Sequence, residues 1–234
     1  MAPPSLLNGG DRGMRHWLLS AIFALLLPEI AAGQPAAPRV VSEGNGIVLE
    51  RDGSKKELTR SPQDVEPVLS PDGRLVYYTR RAAGPRDEQF CGPKADELRV
   101  VSVDGKDDKL VLGGHRGDPE AQLCDFSNKQ FSADGRRLYF MTPGWATSGA
   151  LHVYDLRTRD ERFLLPANDF LVLSFCKNEH KDDLAVRSHR YFVFGGSYDW
   201  YWLYDSSGKK ELGPLGELAD RDALLKIARD EWCR

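Results

Sequence analysis

Short apolar runs alternate with polar positions along most of this chain, and each run stops at a turn-forming pair. Gly46–Glu50 turns at Asp52-Gly53 and returns through Lys55–Thr59; Leu98–Val103 turns at Asp104-Gly105 and returns through Lys109–Leu112. Leu151–Asp155 turns near Arg157-Thr158 and returns through Arg162–Leu165, and Trp200–Asp205 turns at Ser207-Gly208 and returns through Lys210–Leu212. Period-two alternation bounded by Asp-Gly predicts β-hairpins, because the turn needs positive φ values that glycine adopts freely. The turn aspartates Asp52, Asp104, Asp155 and Asp205 are spaced 52, 51 and 50 residues apart, which predicts a repeat.

A second phrase fills the intervals. Ser70-Pro71-Asp72-Gly73-Arg74-Leu75-Val76-Tyr77-Tyr78 returns as Ser132-Ala133-Asp134-Gly135-Arg136-Arg137-Leu138-Tyr139-Phe140. A worn third copy is expected at Leu184–Gly195, with Ser188-His189-Arg190 in place of the turn. The reading is therefore all-β, with three four-stranded antiparallel units near 65–112, 124–165 and 171–212 and a lone hairpin at 46–59 in front. The tail changes period: Leu224, Ile227 and Ala228 share one face behind an N-cap at Asp220, predicting a short C-terminal α-helix over 220–234.

The N-terminus has a different pattern. Arg15 and His16 precede the apolar run Trp17–Leu27, and Ala31-Ala32-Gly33 offers small residues for cleavage, so 1–33 reads as a secretory signal peptide. Residues 34–45 read as a linker and 46–219 as the repeat domain. No second apolar run approaches spanning length, so no membrane span is expected after cleavage. The net charge of −3 offers no basic face for nucleic acid. In an oxidising compartment the four cysteines, Cys91, Cys124, Cys176 and Cys233, are expected to form disulfides; three pairings are open, and Cys91–Cys124 with Cys176–Cys233 joins neighbours along the repeats.

The phrase Ser-(Pro/Ala)-Asp-Gly-Arg followed by Leu-Tyr-Phe, a variable loop and Leu-x-Val-Tyr-Asp-Leu resembles the WD-like repeat of TolB-type periplasmic proteins, most clearly over 66–112 and 130–165. The resemblance implies a β-propeller blade with the Ser-x-Asp-Gly turn between its first two strands. Such propellers have six blades, and this chain has room for about three and a half. The alternatives are a compact four-bladed ring, an open stack, or closure by a partner.

Candidate chemistry is sparse. No G-x-S-x-G, H-E-x-x-H or C-x-x-C pattern occurs, so no catalytic residue, metal site or cofactor is expected. Asp118, Glu120, Asp125 and Asp199 are the carboxylates to weigh for a glycosidase pair, and no spacing selects two of them. Recognition is expected in irregular loops: the insertion holding Arg86, Asp87 and Phe90, the segment Arg116-Gly117-Asp118, and Trp145 between strands. The reading is a secreted, periplasmic, non-enzymatic binding or scaffold protein with a cell-envelope protein partner. The alternative is a carbohydrate or small-ligand binder using Trp145, Trp200 and Trp202, and a third is an envelope hydrolase.

Overall fold

The computed structural model describes residues 37–84, 91 and 95–234. Three four-stranded antiparallel sheets follow one another along the chain. Blade 1 holds β4 (Asp64–Leu69), β5 (Leu75–Arg80), β6 (Glu97–Ser102) and β7 (Lys109–Gly113). Blade 2 holds β8 (Ser127–Phe131), β9 (Arg137–Trp145), β10 (Ser148–Asp155) and β11 (Glu161–Ala167). Blade 3 holds β12 (Asp169–Val172), β13 (Leu184–Tyr191), β14 (Ser197–Tyr204) and β15 (Glu211–Gly216). In front stands a three-stranded sheet of β1 (Arg39–Glu43), β2 (Gly46–Arg51) and β3 (Ser54–Glu57). The lone hairpin thus has a third strand, and the span 34–45, read as a linker, contains it. The reason is local: Arg39-Val40-Val41-Ser42 is β-prone and pairs with Ile47–Glu50 across a tight turn at Gly44.

Alternation along the strands gives each four-stranded sheet two apolar faces, and the sheets stack through them, the front sheet by one face. Ile47 and Leu49 meet Val76, Tyr78 and Val101; Tyr77 and Leu98 meet Phe131, Leu138, Phe140 and Tyr154. Tyr139, Met141, Leu151 and Val153 then meet Phe170, Val172, Leu184 and Val186. The last face of blade 3, with Leu171, Ala185, Tyr201 and Leu203, is covered by the C-terminal helix α1 (Arg221–Ile227), which continues through one wider turn over Ala228–Trp232. Asp220 caps α1, its carboxylate accepting from the Ala223 N–H at 2.8 Å. The helix does for this sheet what a fourth blade would do, burying apolar surface at roughly 25 cal/mol per Å².

The Ser-x-Asp-Gly phrase makes the turns between first and second strands. Ser70 and Ser132 donate their hydroxyls to Asp72 and Asp134 at 2.5 and 2.6 Å, and each aspartate accepts the N–H two residues on. Gly73 and Gly135 sit at φ 70° and 68°, where a Cβ is strained. Ser102-Val103-Asp104-Gly105 repeats the device between β6 and β7.

The worn third copy lies elsewhere. Ser188-His189-Arg190 is not a turn: β13 runs unbroken through it, paired with Asp199, Tyr198 and Trp200 of β14. The bond that closes the turn, Ser132 N–H to Arg137 O in blade 2, is Leu173 N–H to Asp183 O in blade 3. The turn has been widened into a loop, which gives Cys176 its place to meet Cys233. Apolar alternation at Leu184 and Val186 carries the strand past the point where the repeat alone predicts a reversal.

Candidate functional site

Antiparallel strands send their connections alternately to two rims. The Ser-x-Asp-Gly turns and the third-to-fourth-strand turns share one rim. Among the described residues the other gathers 81–84, Cys91 and Asp96, the Gly114–Phe126 segment, the β9–β10 tip, Asn168, the β13–β14 tip and the start of α1. On this second rim a cleft of about 1110 Å³ opens between Pro119, Asp125, Asn128, Pro143–Gly149, Asn168, Asp169 and Arg221.

Its polar wall is a connected network. Asn128 donates to Asp169 at 2.9 Å and its amide oxygen accepts from Arg221 at 2.8 Å. Asp169 also accepts from the Tyr201 hydroxyl at 2.9 Å. Burial and this carboxylate together push the Tyr201 hydroxyl above the usual phenol range. Asn168 donates to Asp199 at 3.1 Å, and Asp199 faces His189 Nδ1 at 3.1 Å. Asn128 holds φ 47° in a bulge of β8, and Glu66 holds φ 51° in the matching bulge of β4. Both bulges sit at the inner edge of the sheets, and strained non-glycine backbone of this kind recurs at sites.

Just inside lies Lys129, only 1% exposed at its side chain. Its ammonium donates to Thr79 Oγ1 at 2.8 Å and to the Phe126 carbonyl, 3.6 Å from Glu66. Burial pushes this amine down to about 8, with Glu66 opposing the shift.

The apolar wall is Trp145, 37% exposed and 5.9 Å from the Phe163 ring. The sequence reading put it in a loop. It ends β9 instead, paired with Ser148, because the strand continues through Pro143-Gly144. A staple holds this end in place. Cys91 and Cys124 are bonded, with Cα atoms 5.6 Å apart, and so are Cys176 and Cys233, at 4.5 Å. Beside the first pair Gln122 donates to the Pro143 carbonyl at 2.7 Å. Buried Asp96 clamps two ends of the same rim, accepting from the N–H groups of Ala82 at 2.7 Å and Asp125 at 2.8 Å.

Of the recognition residues expected from sequence, Trp145 lines the cleft. Arg116 and Asp118 lie beside it: Arg116 donates to the Cys91 carbonyl at 2.7 Å, and the Asp118 carbonyl closes the turn to Ala121 and Gln122. Arg86, Asp87 and Phe90, like the signal segment, lie outside the described residues. Among the weighed carboxylates, Asp125 is on the cleft wall and Asp199 on its border, whereas Asp118 and Glu120 are outside the lining. Trp200 and Trp202 stand on the face of β14 that looks toward blade 2. Asp96, Asn128, Asp169 and Arg221 carry no sequence signal of their own; scattered polar residues acquire a role only when the blades bring them together. Among the described residues no helix is long and apolar enough to cross a membrane.

No protein-family model and no curated relative matches the sequence. Solved structures match as folds. An oligogalacturonate lyase from Vibrio parahaemolyticus aligns at TM-score 0.50 and 11% identity, over 74% of this chain and 43% of that one. A puromycin-hydrolyzing peptidase from Mycobacterium tuberculosis aligns at 0.51 and 13%, over 79% and 30%. TolB from Acinetobacter baumannii aligns at 0.42 and 15%, over 72% and 37%. The chain spans less than half the length of each of these. The fold is a β-propeller-like array of four-stranded antiparallel blades. The expectation that the protein is not an enzyme needs correction: propeller structures of this kind include a lyase and a peptidase, so a blade array does not separate binding from catalysis.

Proposed function

We propose that this chain is a binding or scaffold module of the cell envelope or the secreted space, and that its rim cleft receives a segment of a partner protein. The observation that carries the reading is the cleft itself: about 1110 Å³, one wall aromatic and one wall a hydrogen-bonded network, on a scaffold pinned by two disulfides. Concave sites with an apolar surface and a few fixed polar groups are where ligands are held. The disulfides support an oxidising compartment, which favours the periplasm given the TolB-like repeat.

Trp145 is the anchor in this reading, with Asp169 and Arg221 orienting the bound segment. A photo-crosslinker at Thr147, on the cleft edge, is expected to trap one stoichiometric envelope protein. Trp145→Ala should weaken capture about 30-fold, the effect of losing one aromatic hot spot of about 2 kcal/mol. Crosslinking that is unchanged in the variant would sink the assignment.

A second reading has its own observation. Trp145 faces the amides of Asn128 and Asn168 and the carboxylates of Asp125 and Asp169, groups that also suit the hydroxyls of a glycan. Quenching of tryptophan fluorescence by glycans, abolished in Trp145→Ala, would favour it over a protein partner.

A further inference from the structure

The β13–β14 hairpin departs from the pattern of the blades. Up to Arg190 the side chains of β13 alternate between blade 2 and the C-terminal helix. Beyond it four consecutive large apolar residues are uncovered: Tyr191, Phe192, Val193 and Phe194 are 69%, 53%, 94% and 102% exposed. Val193 and Phe194 are the central residues of the turn that the Gly195 N–H closes on the Phe192 carbonyl, and both side chains stand almost wholly in solvent. A flat partner surface covers one side only, so full burial of this tip requires surroundings that are apolar all round. Gly195 and Gly196, at φ 99° and 84°, then complete the reversal without adding a polar side chain.

The rings behind the tip grade from apolar to amphipathic. Phe192 packs on Tyr198 at 4.6 Å, Tyr198 on Trp200 at 5.0 Å, and Trp200 on Trp202 at 6.5 Å. Tyrosine and tryptophan, with an apolar body and a polar handle, settle at the boundary between hydrocarbon and water. Between Leu184 and Tyr198 the chain carries Arg187, His189 and Arg190 and no acidic residue. The carboxylates that face them are held: Asp199 meets His189 at 3.1 Å, and Glu211 meets Arg190 at 2.5 Å, while the Arg190 guanidinium lies 3.5 Å over the Trp202 ring. Among the described residues, no unpaired carboxylate stands on the hairpin tip itself.

We propose that this hairpin docks the protein on a lipid bilayer surface. Phe192, Val193 and Phe194 enter the outer hydrocarbon, and Tyr191, Tyr198 and Trp200 lie at headgroup level. From the end of β13 at Tyr191 to the turn at Val193 the backbone advances about 7 Å at about 3.3 Å per residue, within the depth of an interfacial anchor and far short of a span. The tip is on the cleft rim, so docking turns the cleft toward the lipid. The attraction is apolar insertion: with Arg190 and His189 already paired and a net charge of −3, anionic lipid adds little.

Flotation of the purified protein with vesicles tests this, using phosphatidylcholine alone and phosphatidylcholine with phosphatidylglycerol. The expected result is co-flotation with both compositions and a blue shift of tryptophan emission. In Val193→Ser/Phe194→Asp the partition should fall at least tenfold with the thermal melt unchanged, since these side chains touch solvent. Three results would each overturn the proposal: no partition with either vesicle, partition that survives in the variant, or a solution dimer in light scattering that the variant dissociates while vesicles bind neither form. Partner capture at Thr147 is a separate measurement, so either reading can fail alone.

Discussion

On one rim the turns of blades 1 and 2 are short and alike, and each is closed by its own serine, aspartate and backbone hydrogen bonds; only blade 3 widens its first turn into a loop. On the other, no two connections are the same, and their hydrogen bonds run between elements far apart in sequence. Asp72 and Asp134 bind within their own turns, whereas Asn128 binds Asp169 and Arg221, and Asp96 binds both Ala82 and Asp125. A turn whose closing bonds are local can recur as a unit, even where a neighbour adds a bond, as Asp182 does to the Ala133 N–H. A rim assembled across blades cannot recur, because each contact depends on which loop stands opposite. Repetition therefore marks the scaffold, and the departures from it mark the site.

The strongest way to break the comparison is to remove one staple at a time. Each disulfide closes a loop, of 33 residues for Cys91–Cys124 and 57 for Cys176–Cys233, and loss of either is expected to cost about 4 kcal/mol in urea unfolding. The Cys91→Ala/Cys124→Ala pair should also lose crosslinking at the cleft. Cys176→Ala/Cys233→Ala should lose stability by a similar amount and retain more of the crosslinking. Equal loss of binding from both would mean that the rims are not separable.

Lys129 offers a pH test. Its folded value is near 8 against 10.5 for a free side chain, so between these the unfolded state holds more protons and stability rises with pH. A gain of about 1–2 kcal/mol is expected from pH 8 to 9.5. Above about 10 the trend reverses, because buried Tyr78, Tyr139 and Tyr201 keep their protons longer folded than unfolded. Lys129→Met should abolish the rise; an unchanged slope in urea melts at the two pH values would refute the assignment.

On the turn rim the effects are smaller. Gly135→Ala places a Cβ at φ 68° and should cost about 1 kcal/mol without touching the cleft, read as a shift in melting with crosslinking retained. Smallest is the acid response. Serine hydroxyls and backbone N–H groups hold Asp72, Asp104 and Asp134 below the usual carboxylate range. Their contribution is present above the ordinary carboxylate value and fades as pH falls through the folded one. Asp134→Asn should be less stable than the parent at pH 7 and converge with it only in acid below the ordinary carboxylate range; parallel curves would dismiss the turn carboxylate.

How far the sequence could be read follows from the same contrast. The strands of blades 1 and 2 were legible because Asp-Gly turns and apolar alternation are local, and the helix was legible because its period differs. Blade 3 was legible near 171–212, but its first turn was not, since the residues that replace Ser-x-Asp-Gly between Leu173 and Asp183 share no chemistry with it. Val40-Val41 is hidden because the Asp52-Gly53 turn accounts for β2 with one partner, and only the sheet shows that β2 has a second. At the site Trp145 stood out by residue type. Asn128, Asp169 and Arg221 did not, because polar residues 41 or more positions apart say nothing until the sheets stack.

The two disulfides also set an order of events. Counted from the N-terminus, the first cysteine is bonded to the second and the third to the fourth. A chain delivered end-first into an oxidising compartment can couple each thiol to the one that emerges next, and the first ring closes before the other two thiols arrive. No mispaired bridge has to be broken and remade, so maturation should proceed without a disulfide isomerase.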